Sequence, residues 1–265
     1  MKLSGITALL LVCLLAAGCG RDGRSAGTGH DMEYARWLDM EHHAGYTLVT
    51  VKNPWRPGAV LQTYLLVPQD GEVPQGITGT VVRTPLQSVL VYSSVHAGVI
   101  KELGAMQSVT GVCDVQYFDM PEVQEGVRAG KIIDAGNSMQ PAMEKVVQLR
   151  PDGIILSPFQ NGGYGALANM GIPLIECADY MENTPLGRAE WIKFFGELYC
   201  CRAKADSIFA TVVERYGEVK SLVDSVRTRP KVICESVTSG VWYVPGGDSY
   251  MAHLYVDAGA DYPWS

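Results

Sequence analysis

The sequence predicts an α/β protein in which two lobes of mostly parallel sheet are joined by one long helix, with the second lobe incomplete in this chain. Three observations carry this. Between residues 85 and 184, short apolar β-rich runs alternate with helix-like segments, the pattern of a parallel sheet wound with helices. From Leu186 to about Val226 there is no proline, and apolar residues recur at helical spacing: Trp191, Phe194, Phe195 and Leu198, then Ile208, Val212, Val213, Tyr216, Val219 and Val223. Strand-like runs then begin again at Lys231–Glu235 and Val241–Val244, and the chain stops at Ser265. So small a sheet is poorly stable alone, and the chain is expected to be a piece of a longer one.

Taken in order, the first element is an address. Lys2 precedes an apolar run from Ile6 to Ala17, too short to span a bilayer but suited to a signal-peptide core. It ends in Ala16-Ala17-Gly18-Cys19. Residues 1–18 are expected to be a signal peptide, 19–44 a tether opening on the glycine-rich stretch Gly20 to Gly29, and 45–84 an N-terminal β segment. Within that segment Tyr46–Val51 and Val60–Val67 should pair antiparallel across the turn-rich Asn53–Gly58.

Residues 85–184 should form the first α/β lobe. Val89–Ser93, Val109–Val112, Lys131–Ile133, Ile154–Ser157 and Pro173–Cys177 read as its strands. Val95 to Leu103 reads as a helix closed by Gly104. A second helix should run to Leu149 with Pro141 in its first turn, and a third from Gly165 to Met170. Residues 185–228 are expected to be the interlobe helix, with a bend near Gly196 or Cys200-Cys201. Residues 229–265 begin the second lobe, with a helix over Ser249–Ala258 closed by Gly259.

Composition excludes other classes. The chain has 265 residues, 47% of them hydrophobic, enough for a sizeable core. Its formal charge is −7; without Lys2 the balance is 20 basic against 28 acidic residues, or −8. No Lys/Arg cluster is present to neutralise a phosphate backbone, so nucleic acid is not an expected partner. There are seven cysteines. Cys13 would leave with the signal, and Cys113, Cys177, Cys200, Cys201 and Cys234 show no CxxC spacing, against a zinc or thioredoxin-like motif. Cys113, Cys177 and Cys234 lie in or beside apolar runs and read as small buried hydrophobes.

Several segments carry a family resemblance. The Ala17-Gly18-Cys19 ending resembles the bacterial lipoprotein signal, which implies lipidation of Cys19 and a place on the periplasmic face of the cell envelope. Leu103-Gly104-Ala105 with Val109–Asp114, then Gly136-Asn137-Ser138 with Glu144–Ile155 (EKVVQLRPDGII), Gly171-Ile172-Pro173, Trp242–Gly247 and Leu254–Ala260 are similar to segments of class III substrate-binding proteins of ABC importers. These serve ferric siderophores, haem and cobalamin. The resemblance implies two Rossmann-like lobes joined by one helix, modest closure, and capture of an iron chelate or corrinoid in the interlobe cleft. It also implies delivery to a permease and ATPase, with no cofactor and no catalysis. Where family members often carry a permease-docking Glu, this chain has Gly98, with Glu102 nearby.

In open parallel sheets, ligands lie beyond the carboxyl ends of the strands. Those ends carry hydroxyls, amides and aromatics, a mixture suited to a large, partly apolar ligand. The candidate ligand-binding residues are Ser94, His96, Asn137, Ser138, Phe159, Gln160, Tyr164 and Tyr180, with Trp242 and Tyr243 facing them from the second lobe. His96 could contact a chelate, or Ser94 could cap the helix and leave His96 merely in its first turn. No obvious basic cluster awaits an anionic catecholate. Gly163–Ala168 partly fits a dinucleotide fingerprint but lacks the acidic residue about 20 positions on. No GxSxG, HExxH or P-loop supports an exported enzyme. A receptor for bare zinc or manganese would need three or more converging ligands; His30 lies in the tether, and His42-His43 read as solvent-exposed.

Overall fold

The computed structural model describes residues 32–265. The signal peptide, Cys19, His30 and most of the expected tether lie outside the described residues. The first described elements build a four-stranded sheet: β1 (Leu38–His43), β2 (Tyr46–Lys52), β3 (Val60–Pro68) and β4 (Thr80–Thr84). β2 and β3 pair antiparallel, with Thr47 opposite Leu66, and β4 adds parallel to β3. One expectation changes here. Residues 38–43, expected in the tether, are a strand, because Gly45 takes a positive φ of 90° and turns the chain tightly onto β2. The burial of Leu38 and Met40 alternates with Asp39 and Glu41, the signature of a half-buried strand.

The second sheet is wholly parallel. In chain order come β5 (Val89–Val91), α1 (Ser94–Glu102), β6 (Val109–Val112), α2 (Pro121–Arg128), β7 (Ile133–Asp134), the small hairpin β8 (Gly136–Asn137) and β9 (Gln140–Pro141), α3 (Met143–Leu149), β10 (Gly153–Leu156) and β11 (Leu174–Glu176). The sheet order is β11-β10-β5-β6-β7. Both faces are covered. Val89, Val91 and Ile155 enter a large core with Ile100 of α1 and Tyr64 of β3. Leu90, Ile154 and Leu156 enter a smaller one with Val146 of α3 and Leu167. Strands buried on both sides must be apolar at successive positions, which is why their runs were unbroken in the sequence.

Helix ends follow local chemistry. Ser93, not Ser94, caps α1: its Oγ accepts the Val95 N–H at 3.2 Å. Gly104 closes that helix at φ 75°. α2 was not anticipated; it starts on Pro121, with Glu122 favourably placed in its first turn. Pro141 belongs to β9 and not to the first turn of α3.

The expected long helix is broken in two places. α4 (Pro185–Glu190) and α5 (Ile192–Leu198) precede the 20-residue α6 (Arg202–Ser221). Cys200 adopts φ 52°, and a Cβ on Gly196 would lie 2.6 Å from that of Ala205, so the chain reverses and α5 and α6 meet at a glycine. Beyond them, Lys231 makes only a single bridge to Asp261, while β12 (Val237–Thr238) and β13 (Val241–Trp242) form a hairpin. α7 (Tyr250–Asp257) follows, capped by Ser249 and closed by Gly259 at φ 83°. Asp257 ties it to α6, accepting from Lys220 at 2.7 Å and Tyr216 at 2.8 Å.

Two buried carboxylates hold the segment that leads into β1. Glu190, with no exposed surface, accepts the backbone N–H groups of Glu33, Tyr34 and Ala35 at 3.0, 2.7 and 2.8 Å and pairs with Lys193 at 2.7 Å. Glu182 accepts the N–H groups of Arg36 and Trp37 and the Trp191 indole at 2.9, 3.1 and 2.9 Å. Five successive backbone donors thus end on two side chains. Burial pushes both carboxyls up. At Glu182 burial prevails; at Glu190 the Lys193 ammonium and the backbone donors outweigh it and hold the group below the usual carboxylate range.

Glu190→Ala should therefore destabilise the protein by about 3 kcal/mol in denaturant unfolding, because Lys193 and three N–H groups lose a buried acceptor. The sign with pH is also set. A depressed folded-state pKa contributes stability above the unfolded value of 4.5 and loses it as pH falls through the lower, folded value. Glu190→Gln should be less stable at neutral pH and should lack this part of the acid-side loss. Equal acid sensitivity in the two proteins would contradict the assignment.

Candidate functional site

In the parallel sheet the chain winds outward from β5 to β6 and β7, then returns to lay β10 and β11 on the other side of β5. At such a switch point, loops from neighbouring strands leave in opposite directions and open a crevice at the carboxyl ends. A cavity of about 490 Å³ lies there. Tyr92 and Ser93 enter it from the end of β5, and Leu156, Ser157 and Phe159 from the end of β10. The β8–β9 hairpin adds Ser138, Met139, Gln140 and Pro141; α3 adds Met143; the loop before β11 adds Gly163, Tyr164, Gly165, Ala166 and Leu167.

Each wall has a visible support. Asp114, in the left-handed region at φ 53°, holds the hairpin tip: its carboxylate accepts the Ser138 N–H at 3.1 Å and the Asn137 amide at 3.2 Å. The Asn137 side-chain oxygen accepts the Met139 N–H at 2.8 Å. Phe159 packs against Gly162, where a Cβ would lie 2.8 Å from the ring. The Tyr164 hydroxyl donates to Glu176 at the end of β11. Glu176 is itself placed by Tyr64 of the first sheet, whose hydroxyl accepts the Glu176 N–H at 2.7 Å and donates to Leu174 O at 2.9 Å.

Burial shapes the electrostatics of the groups in and behind this wall. Burial raises the Glu176 carboxyl, an effect the Tyr164 hydrogen bond offsets in part. Burial also raises the Tyr92 and Tyr164 phenols and pushes the Cys113 thiol up to about 12, so none of these ionises near neutral pH. The Tyr92 hydroxyl is buried and interacts with the Cys113 thiol.

Of the residues expected at the site, Ser138, Phe159 and Tyr164 line this cavity. Asn137 stands behind the hairpin tip. Ser94 is the first residue of α1, Gln160 is exposed on the loop after β10, and Tyr180 donates to Pro158 O at 2.5 Å; none of the three lines the cavity. Trp242 packs edge-on against Trp264 at 5.5 Å and donates to Cys234 O, and Tyr243 is exposed. Neither lines the cavity. Tyr92, Met139, Gln140, Met143 and Glu176 were missed. The Asn-Ser turn chemistry could have signalled the hairpin that carries Met139 and Gln140.

His96 lies apart from this cavity. Its side chain is 2% exposed and faces the large core, where Nε2 lies 3.1 Å from Asp179 Oδ1 and the ring lies 5.8 Å from that of Phe195. It lines a different cavity, of about 420 Å³, with Asp179, Arg188, Val99, Phe195 and Ile208. His42, expected in solvent, is half-buried with Nε2 3.0 Å from Glu197, whereas His43 is exposed and stacks on Tyr46. Among the described residues no three His, Cys, Asp or Glu side chains converge to hold a metal ion. Cys113 and Cys177 are buried, Cys201 and Cys234 half-buried and Cys200 exposed, all as free thiols. No helix among the described residues is long and apolar enough to cross a membrane.

Comparison with known proteins gives a consistent picture. Residues 89–263 match the family model described as periplasmic binding protein. An uncharacterized lipoprotein of Methanocaldococcus jannaschii is 29% identical over 207 residues, covering 72% of this chain and 49% of the relative. The chain thus spans about half the length of that relative. A possible iron-binding periplasmic solute-binding protein from Staphylococcus epidermidis superposes with a TM-score of 0.56 at 16% identity, covering 68% of each chain. The periplasmic haem-binding protein of Vibrio cholerae superposes with a TM-score of 0.52 at 19% identity, covering 68% of this chain and 66% of the other. At these identities the solved structures speak for the fold.

The position of His96 yields a test. His96→Ala should lower stability by about 2–4 kcal/mol, since it leaves Asp179 buried without its partner, while ligand affinity stays within about twofold. Chemical denaturation and calorimetric titration read the two effects. Intact stability with lost affinity would return His96 to the ligand.

Proposed function

The chain belongs to the periplasmic binding protein family, and we propose that it is the substrate-binding lipoprotein of an ABC importer. On this reading it captures a metal chelate, a ferric siderophore or similar iron complex or a cobalamin, and passes it unaltered to a permease driven by an ATPase. One observation carries the proposal: the cavity at the switch point combines hydroxyls, one amide and apolar side chains on its wall. Such a wall suits binding by shape and hydrogen bonds. The names of structural neighbours that bind iron or haem point the same way.

Ser138, Phe159 and Tyr164 are the proposed contacts from this lobe, and Trp242 and Tyr243 remain candidates from the second. Met139 and Phe159, both well exposed at the rim, supply apolar surface for a bulky ligand. The lipoprotein relative supports attachment through Cys19, which would hold the protein at the outer side of the membrane where such a ligand arrives. Glu102 is exposed on the last turn of α1 and is available to a permease arginine in place of the family's earlier glutamate.

Two measurements test this. Native mass spectrometry and calorimetry against siderophore, haem and cobalamin should show saturable, one-to-one binding with the ligand recovered unchanged; a chemically altered ligand, or no binding at micromolar concentration, would overturn the reading. In cells, Cys19→Ser should move the protein from the membrane to the soluble fraction. Unchanged membrane association would remove the anchor from the account.

A further inference from the structure

We propose that this cavity selects an electroneutral, partly apolar chelate over an anionic one, through a wall made of neutral hydroxyl donors and acceptors. The inference rests on the reading of the chain as a chelate receptor and narrows its substrate class. Among the described residues no Lys, Arg or His lines the cavity. The polar side chains on its wall are those of Ser93, Ser138, Ser157, Tyr164 and Gln140. An anion brought into such a site loses its hydration without gaining a countercharge, which is costly.

The surroundings reinforce the selection. Two carboxylates stand behind the wall: Glu176 accepts a hydrogen bond from the Tyr164 hydroxyl, and Asp114 accepts one from the Ser138 N–H. Any negative charge there repels an anionic ligand, and nothing on the wall offsets it. With its proton directed at Glu176, the Tyr164 oxygen keeps lone pairs to accept from a ligand N–H or O–H. Two basic residues of this lobe are engaged elsewhere. Lys145, two residues beyond Met143, donates to Asp134 O at 2.6 Å. Arg188 lines the cavity on the opposite face of the sheet and donates to Tyr180 O at 2.7 Å.

The test titrates the protein calorimetrically with two ferric chelates that differ in charge, a neutral tris-hydroxamate and a triply anionic tris-catecholate. The neutral chelate should bind at least about 100-fold more tightly. Its affinity should change less than about twofold when salt rises from about 0.05 to 0.5 M, since no ion pair is there to be screened. Met139→Lys, at the exposed rim, should narrow the gap by about tenfold by supplying the missing positive charge. Equal or tighter binding of the catecholate by the unmodified protein overturns this inference and leaves the receptor reading standing. Binding of neither chelate, nor of haem or cobalamin, removes both.

Discussion

The geometry of this protein depends on the reversal of winding at β5. Once β6 and β7 lie on one side and β10 and β11 on the other, the loops after β5 and β10 must diverge, and a crevice opens above their ends. Everything at the site is then a question of which residues reach into it. The strands are too short and too apolar to do so themselves. The work falls to Tyr92 and Ser93, to the loop from Ser157 through Leu167, and to the β8–β9 hairpin that bends back over the sheet.

A sheet covered on both faces divides neighbouring residues between two environments. Tyr92 lies by the smaller core and the cavity, while His96, four residues later, has turned with α1 into the large core and is held by Asp179. The same division separates Arg188 from the cavity wall. The first sheet is more than an appendage, because the Tyr64 hydroxyl positions Glu176, and Glu176 positions Tyr164. The leading segment is fastened in turn to Glu182 and Glu190, which flank or belong to α4. Hydrogen bonds to these two side chains therefore fasten the first described residues to α4 and the turn before it.

Much of this was legible in the residues. The alternation of apolar runs with helical spacing, and the glycines after α1 and α7, placed the parallel sheet and most helix ends. Ser138 and Phe159, just past strand ends, and Tyr164, in the glycine-rich loop, line the cavity. What escaped has physical causes. Helical periodicity continues through residues 186–223 because α5 and α6 both bury one face, and nothing in that pattern marks the left-handed turn at Cys200. The N-terminal strand was hidden because its outward residues, Asp39, Glu41 and His43, look like tether. His96 lies on the other face because proximity to a strand end in sequence says nothing about which face of the helix a side chain takes. Tyr92 and Glu176 were missed because each closes an apolar run and reads as strand.

The central claim is that the switch-point cavity holds the ligand. Hydrogen–deuterium exchange with and without saturating neutral ferric tris-hydroxamate tests it most directly. The account predicts protection over 92–93, 138–143 and 157–167, with 95–99 unchanged. Protection confined to the α1–α5 groove around His96 and Arg188, with the switch-point loops unaffected, would contradict it.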